Sequence, residues 1–370
     1  MLKNIDKKYL IYGGVLGGII ILFLIFLLIV SFTKGNKLNY KGIESKLQNS
    51  AVKYYEKHEK EIPKTDGSTV SISSSKLIKS GNMTDFSKNL EEGETCKGEV
   101  YVTNNNGNYI YLPYLDCGKK YKTKKLSDKI ISDGNVNDID EGLYEIDEED
   151  NNYIFRGENV NNYINFAGKL WRIIRINSDG SIKIIAVERF DQFEWDNRYN
   201  IDKKYTSGIN DYEISRIKDK LKEIYEDDEI FTKKDRSMIA SQDLCVGRRS
   251  VENAINDGTV ECENIVENQQ IGLLQLNEYI IPSLDENCHK ASDRSCANYN
   301  FLATFDRSFW TLTGDSETSY MVCVVDNFLD LKQAGGIASI NPVIVLTKNL
   351  VYDSGNGSID KPYKIKDFQE

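Results

Sequence analysis

Residues 164–185 read INFAGKLWRIIRINSDGSIKII. Isoleucines and a tryptophan crowd both sides of a polar Asn-Ser-Asp-Gly, which is the pattern of two strands around a tight turn. A type I turn with Gly180 in the left-handed conformation makes a three-residue loop with a bulge. That register opposes Ile176 to Ile182, Ile174 to Ile184, Ile173 to Ile185 and Trp171 to Val187. A two-residue Asp-Gly loop would set Ile176 against Lys183, so apolar pairing selects the longer loop. Both faces of the pair are then apolar, as for a hairpin covered on both sides. Arg172 and Arg175 break the apolar run, and a strand-rim position suits Arg175. The hairpin is framework, so a ligand site belongs in the loops around it.

Around this hairpin lies a chain of 370 residues, long enough for two domains. Its formal charge of -10 is the wrong sign for a general nucleic-acid binder. There are only two histidines, His58 and His289. Ser-His-Asp and Cys-His catalysis needs a histidine base, and zinc sites favour imidazole or clustered thiolates. His58 falls on the Lys/Glu-rich stretch KYYEKHEKE and His289 in a polar loop, both as surface residues.

Leu10 to Phe32 carries no charge over 23 residues. As a helix it spans about 35 Å, enough for a hydrocarbon core of about 30 Å. Its length and its TKGNK flank suit an uncleaved signal anchor after a short tail, 1–9. Lysines flank it on both sides, so charge does not orient it. Gly13 with Gly17 and Gly14 with Gly18 give GxxxG spacings through which two copies would dimerise.

The first piece beyond the anchor runs from 38 to 130. Ile43, Leu47, Ala51 and Tyr54 recur at helical spacing and predict a helix ending near Glu59. A strand at 69–72 and a short helix closed by Gly81 follow. Cys96 and Cys117 bracket CKGEVYVTNNNGNYIYLPYLDC. Asn106-Gly107 is a strong two-residue hairpin signal. With that loop, Asn105 faces Asn108, Val102 faces Tyr111, and Cys96 faces Cys117. The turn alone therefore predicts a cross-strand disulfide. Such bonds persist outside the cytoplasm, which puts the N-terminus inside and residues beyond about 34 outside.

An acidic linker, 131–141, leads to a larger strand-rich piece, 142–366. Asn210 to Asp228 predicts a helix with a capping-box-like Asn210 and Glu213. Its buried stripe is Ile214, Ile217, Leu221, Ile224 and Tyr225. A loop-rich insert holds Cys245, Cys262, Cys288 and Cys296. Four cysteines allow three connectivities. Pairing sequence neighbours, Cys245 with Cys262 and Cys288 with Cys296, needs the least long-range assumption. Cys323 is left over in an apolar strand and reads as a buried free thiol.

Two resemblances add to this. The order of an apolar helix, IESKLQNSAVKYYEKH, TVSISSSKLIKSG and a cysteine-bracketed hairpin resembles the pilin-like N-terminal regions of surface proteins in low-GC Gram-positive bacteria. Where prepilins carry a processing site, this chain reads DKKYLIYGGV, which points to a permanent anchor. The blocks DLCVGRRS, IGLLQLNEYI, CANYNFL, FWTLTG and INPVIVLTKNLVYDSGNGSIDKPYKI, with the opening hairpin, resemble a C-terminal module of unknown function in such proteins. The module implies a formylglycine-generating-enzyme or C-type-lectin-like fold. Relatives place an arginine before the Pro-Val of the last block, where this chain has Asn341. The enzymes of that fold use a cysteine pair, and here no pair remains beyond the expected disulfides.

The expected architecture is therefore α+β: one transmembrane helix, a small α+β pilin-like stalk domain and a larger strand-rich lectin-like domain with disulfides. The expected function is display of a ligand-binding, adhesin-like domain toward a glycan or protein outside the cell. Trp195, Tyr199, Trp310 and Tyr320 are the candidate ligand-facing aromatics, since such rings stack on sugars and peptides. No catalytic residue, metal site, cofactor or nucleic-acid partner is expected. The alternatives are a pilin-like or envelope assembly component, and a glycan hydrolase, for which no spacing among the 57 acidic residues singles out a pair.

Overall fold

The computed structural model describes residues 39–368, apart from 135, 137–138, 148–150, 199–207, 254–258 and 306. The expected span at 10–32, with Gly13, Gly14, Gly17 and Gly18, lies outside the described residues, as does Tyr199. Among the described residues no helix is long and apolar enough to cross a membrane. They form a mixed α+β, strand-rich structure with three disulfides.

Helix α1 (Tyr40–Lys57) starts where the Asn39 side chain accepts a hydrogen bond from the Gly42 N–H. Ile43, Leu47, Ala51 and Tyr54 form its buried face. Strand β1 (Thr69–Ser73) runs straight into α2 (Ser74–Lys79), with Ser73 as cap. Strands β2 (Lys97–Asn105) and β3 (Asn108–Asp116) complete a three-stranded sheet, order β1-β2-β3. Gly98 lets α1 come down on β2, since a Cβ there would lie 2.7 Å from a Leu47 methyl. These elements share one small core.

The hairpin register is the one the turn predicts: Asn105 opposes Asn108 and Val102 opposes Tyr111. Asn106 and Gly107 have φ of 53° and 77°, the left-handed pair that a two-residue hairpin loop requires. Cys96 and Cys117 are bonded with Cα atoms 4.2 Å apart. Cys96→Ala with Cys117→Ala should lower stability by about 3 kcal/mol, by freeing the unfolded chain. Urea titration of the oxidised protein and the double variant checks it; equal midpoints would refute it.

Helix α3 (Leu126–Gly134) belongs with the second core. Leu126 and Ile130 are fully buried there. The Leu126 N–H donates to the Leu350 carbonyl at 2.7 Å. Leu112 of β3 joins the same core, so β3 and α3 both pack against the second unit.

Strands β4 (Gly142–Asp147), β5 (Asn152–Arg156), β6 (Tyr163–Phe166), β7 (Lys169–Ile176) and β8 (Ile182–Ala186) open the second unit. Then come β9 (Asp191–Glu194), helix α4 (Arg216–Glu226), β10 (Ile239–Ala240), β11 (Gln242–Cys245) and β12 (Ile265–Gln269). Helix α5 (Leu276–Ile280) precedes β13 (Phe309–Gly314), β14 (Met321–Asp326) and β15 (Phe328–Gln333). Strands β16 (Ile337–Ile340), β17 (Val343–Leu346), β18 (Tyr352–Ser354) and β19 (Tyr363–Ile365) end the chain. Among the described residues they build two main sheets. One has order β10-β17-β8-β7-β6-β19-β18, with β5 also on β7 and β4 on β5. The other has order β15-β14-β13-β16-β9. One apolar core joins both sheets.

The 164–185 hairpin is confirmed at its turn and corrected beyond it. Gly180 has φ of 85°, and Ile176 opposes Ile182. A bulge between Ile173 and Arg175 then shifts the register by one residue. Ile173 faces Ile184, and Trp171 faces Ala186 rather than Val187. A bulge sets two residues against one and increases local twist.

The 210–228 helix is also corrected. Tyr212–Ile214 is a single 3-10 turn, and α4 begins after Ser215, which caps it. Ile217, Leu221 and Ile224 are buried as expected, but Ile214 is 48% exposed. Asn210 does not cap: its Nδ2 donates to the carbonyls of Asp315, Thr318 and Met321 at 2.8, 2.8 and 2.7 Å. Tertiary partners outbid the helix for its amide. Cys245–Cys262 and Cys288–Cys296 pair as sequence neighbours, and Cys323 is free and buried.

The two cores meet at a buried charge. Glu44 of α1 is fully buried and accepts from the hydroxyls of Tyr121 at 2.8 Å and Thr123 at 2.5 Å. It also pairs with Lys366 near the chain's end. The hairpin tip adds Asn105, whose Nδ2 donates to the Ser237 carbonyl.

Candidate functional site

The expected ligand-facing aromatics do not converge. Trp195 and Trp310 are both 0% exposed, which corrects their assignment. Each indole N–H is used inside, Trp195 on the Thr311 carbonyl at 3.1 Å and Trp310 on the Phe193 carbonyl at 2.8 Å. A buried indole needs such a partner, and here β-sheet carbonyls supply it. Tyr320 is half-buried, and its carbonyl accepts from the Ala334 N–H. Ligand-facing aromatics have no common surface among these three.

A cleft forms elsewhere, where the chain twice changes sheet. It passes from β8 to β9 through Val187, Glu188 and Arg189, and from β16 to β17 through Asn341 and Pro342. Asn341 ties the two crossovers together: its Nδ2 donates to the carbonyls of Ala186 at 3.0 Å and Val187 at 3.3 Å. The opening left between them is about 560 Å³, within the usual range for small-ligand sites. Tyr163, Arg172, Arg189, Arg307, Ser339 and Asn341 line it, and Glu188 is the acidic residue on its wall.

Arg172 forms the floor. It is 3% exposed, on β7 directly opposite Tyr163 of β6. Its guanidinium lies 4.3 Å from the Tyr163 ring centre and 4.6 Å from that of Phe301, between two aromatic faces. Nε donates to Asn162 Oδ1 at 2.7 Å and Nη2 to the Val160 carbonyl at 3.2 Å. Among the described residues no carboxylate lies within ion-pair distance of Arg172, Arg189 or Arg307. Burial pulls the Arg172 pKa down to about 10, so it remains charged at neutral pH. Ser339, on the same wall, has a buried hydroxyl without a hydrogen-bond partner, as does the neighbouring Ser308.

Arg175, the other arginine of the opening stretch, serves a different end. Glu278 of α5 is buried and paired with Lys183. Burial pushes its carboxyl up, but Lys183 and Arg175 outweigh this and hold it below the usual carboxylate range. Arg175 thus belongs to a structural charge cluster.

A second polar cluster is sealed. Arg249 Nη1 sits 3.0 Å from Glu261 Oε2, with side chains 0% and 1% exposed. The other Glu261 oxygen accepts from the Asn277 N–H at 3.2 Å. Burial pushes the nearby Cys323 thiol far up, with Asp315 and Glu261 adding to it, so no thiolate forms there at neutral pH. His58 stacks on Tyr54 at 4.0 Å, and His289 is exposed.

Sequence reasoning singled out Arg172 but not its cleft. The available signal was a cation between Trp171 and Ile173 in an apolar strand, with no acid at the opposed position. No family model, curated protein or solved structure matches the chain.

Proposed function

We propose that the chain is a single-pass, membrane-anchored surface protein that displays a ligand-binding domain outside the cell. In this reading the first unit is a pilin-like stalk and the second a C-type-lectin-like or formylglycine-generating-enzyme-like head, anchored through 10–32. The observation that carries the binding function is the cleft at the crossovers, with its buried, carboxylate-free Arg172. Its hydrogen bonds and ring contacts offset part of the cost of burying this cation, and an anionic ligand would add the counter-charge they lack. The disulfides support the extracellular placement, since such bonds persist in oxidising compartments. The salt link between Glu44 and Lys366 would hold the head on its stalk.

The full chain in lipid nanodiscs should be retained on at least one of mucin, cell-wall fragments or host glycans. Thr304→Trp, which fills the exposed rim of the cleft, should abolish that retention. No retention on any surface, or retention unchanged by Thr304→Trp, would sink the reading. Protease shaving of intact cells should remove the second unit; full protection would overturn the orientation.

A further inference from the structure

The cleft has a sign. The chain as a whole carries -10, yet this wall gathers Arg172, Arg189 and Arg307 against Glu188 alone. A cationic recess on an anionic molecule focuses the field on small anions and repels nothing that is neutral. The depth of the charge matters more than the count. Arg189 and Arg307 are exposed and well solvated. Arg172 is not: rings cover both faces of its guanidinium, and Asn162 and the Phe301 and Val160 carbonyls take one donor on each of its three nitrogens, leaving a donor on Nη1 and on Nη2. Buried arginines are ordinarily neutralised by carboxylates. The sealed Arg249–Glu261 pair in the same domain shows that ordinary solution. Arg172 lacks it, and the cleft reaches its guanidinium.

We propose that the cleft binds an oxyanion, a carboxylate or a sulfate or phosphate group borne by a small polar ligand, with Arg172 as its buried counter-charge and Arg189 and Arg307 closing over it. The Ser339 hydroxyl, buried and unpartnered on the same wall, is a donor of the right kind for a second oxygen. Planar guanidinium matches all three oxyanions in two-point geometry, which an ammonium does not. The proposal rests on the displayed-binding reading but can fail without it.

The test uses the full chain in nanodiscs and four probes: sialyllactose for a carboxylate, lactose sulfate for a sulfate ester, inorganic phosphate, and lactose as the neutral core. Calorimetry should show at least one anionic probe binding, no binding of lactose, and affinity that falls as salt rises. Arg189→Gln with Arg307→Gln, both at exposed positions, should weaken the anionic probe by about tenfold or more and flatten the salt dependence. Arg172→Lys keeps the charge but loses the planar fork, and should weaken it further if the variant folds. Which anionic arm responds identifies the source of the oxyanion. Lactose binding as well as its charged forms, an unchanged affinity in the double variant, or no binding of any anionic probe would each overturn the proposal. Retention on mucin or wall material that survives such a result would leave the displayed-binding reading standing.

Discussion

Arg249→Ala should destabilise the protein by about 3–5 kcal/mol, because it strands a buried carboxylate. Glu261 is 1% exposed, and one of its oxygens depends on Arg249 Nη1. Even in the intact pair, burial holds the Glu261 carboxyl above its usual range. Removing the guanidinium must raise it further, so the variant carries a pH signature. A carboxyl with a raised folded pKa binds more protons folded than unfolded, and stability then falls as pH rises. The deficit of Arg249→Ala should therefore be full at neutral pH. It should shrink as pH drops through the raised folded value toward the ordinary 4.5. Urea titrations at neutral and mildly acidic pH give the answer. A deficit independent of pH would mean that Glu261 is not the stranded group. The double variant Arg249→Met/Glu261→Leu should recover most of the loss, since an apolar pair needs no counter-charge.

Where local chemistry alone sets the geometry, the fold was legible. Asn106-Gly107 forces both loop residues to positive φ, and every pair of the 97–116 register follows from it. The Asn177–Gly180 turn was legible for the same reason. What failed was set by tertiary context. The bulge near Ile174 has no residue that marks it, since Gly is absent there. Asn210 looks like a cap until three carbonyls from residues 315–321 claim its amide. Trp195 and Trp310 have the composition of binding residues and the burial of core residues, and composition cannot separate the two. The cleft was illegible because residues near 163, 188, 307 and 340 converge only through two sheet crossovers.

Trp171→Ala should cost about 3–5 kcal/mol, the range for deleting a fully buried large side chain. Trp171 is 0% exposed, paired with Ala186 on β8 and Ile164 on β6. The bulge matters here: by setting Trp171 opposite the small Ala186 rather than Val187, it makes room for an indole in the centre of the sheet. The ring is met edge-on by Phe166 and Phe190, with centres 6.3 and 5.5 Å away, and Phe231 lies tilted at 6.4 Å. Its Nε1 donates to the Phe166 carbonyl at 2.9 Å. Truncation therefore opens a cavity and removes one of the hydrogen bonds to the carbonyl that closes the β6–β7 turn. Trp171→Phe separates the terms: most apolar contact returns while the indole hydrogen bond stays lost, leaving a deficit of about 0.5–1.5 kcal/mol. The Phe190 that packs on this indole directly follows Glu188 and Arg189 of the cleft wall, and its N–H donates to the Ile340 carbonyl beside Asn341. Loosening Trp171 should thus weaken ligand retention as well as stability, while Arg249→Ala, outside the cleft lining, should lower stability and leave retention by the folded fraction unchanged. Retention measured below the unfolding transition of each variant distinguishes the two. Equal losses would show that the cleft depends on global stability and not on the hairpin that carries Arg172.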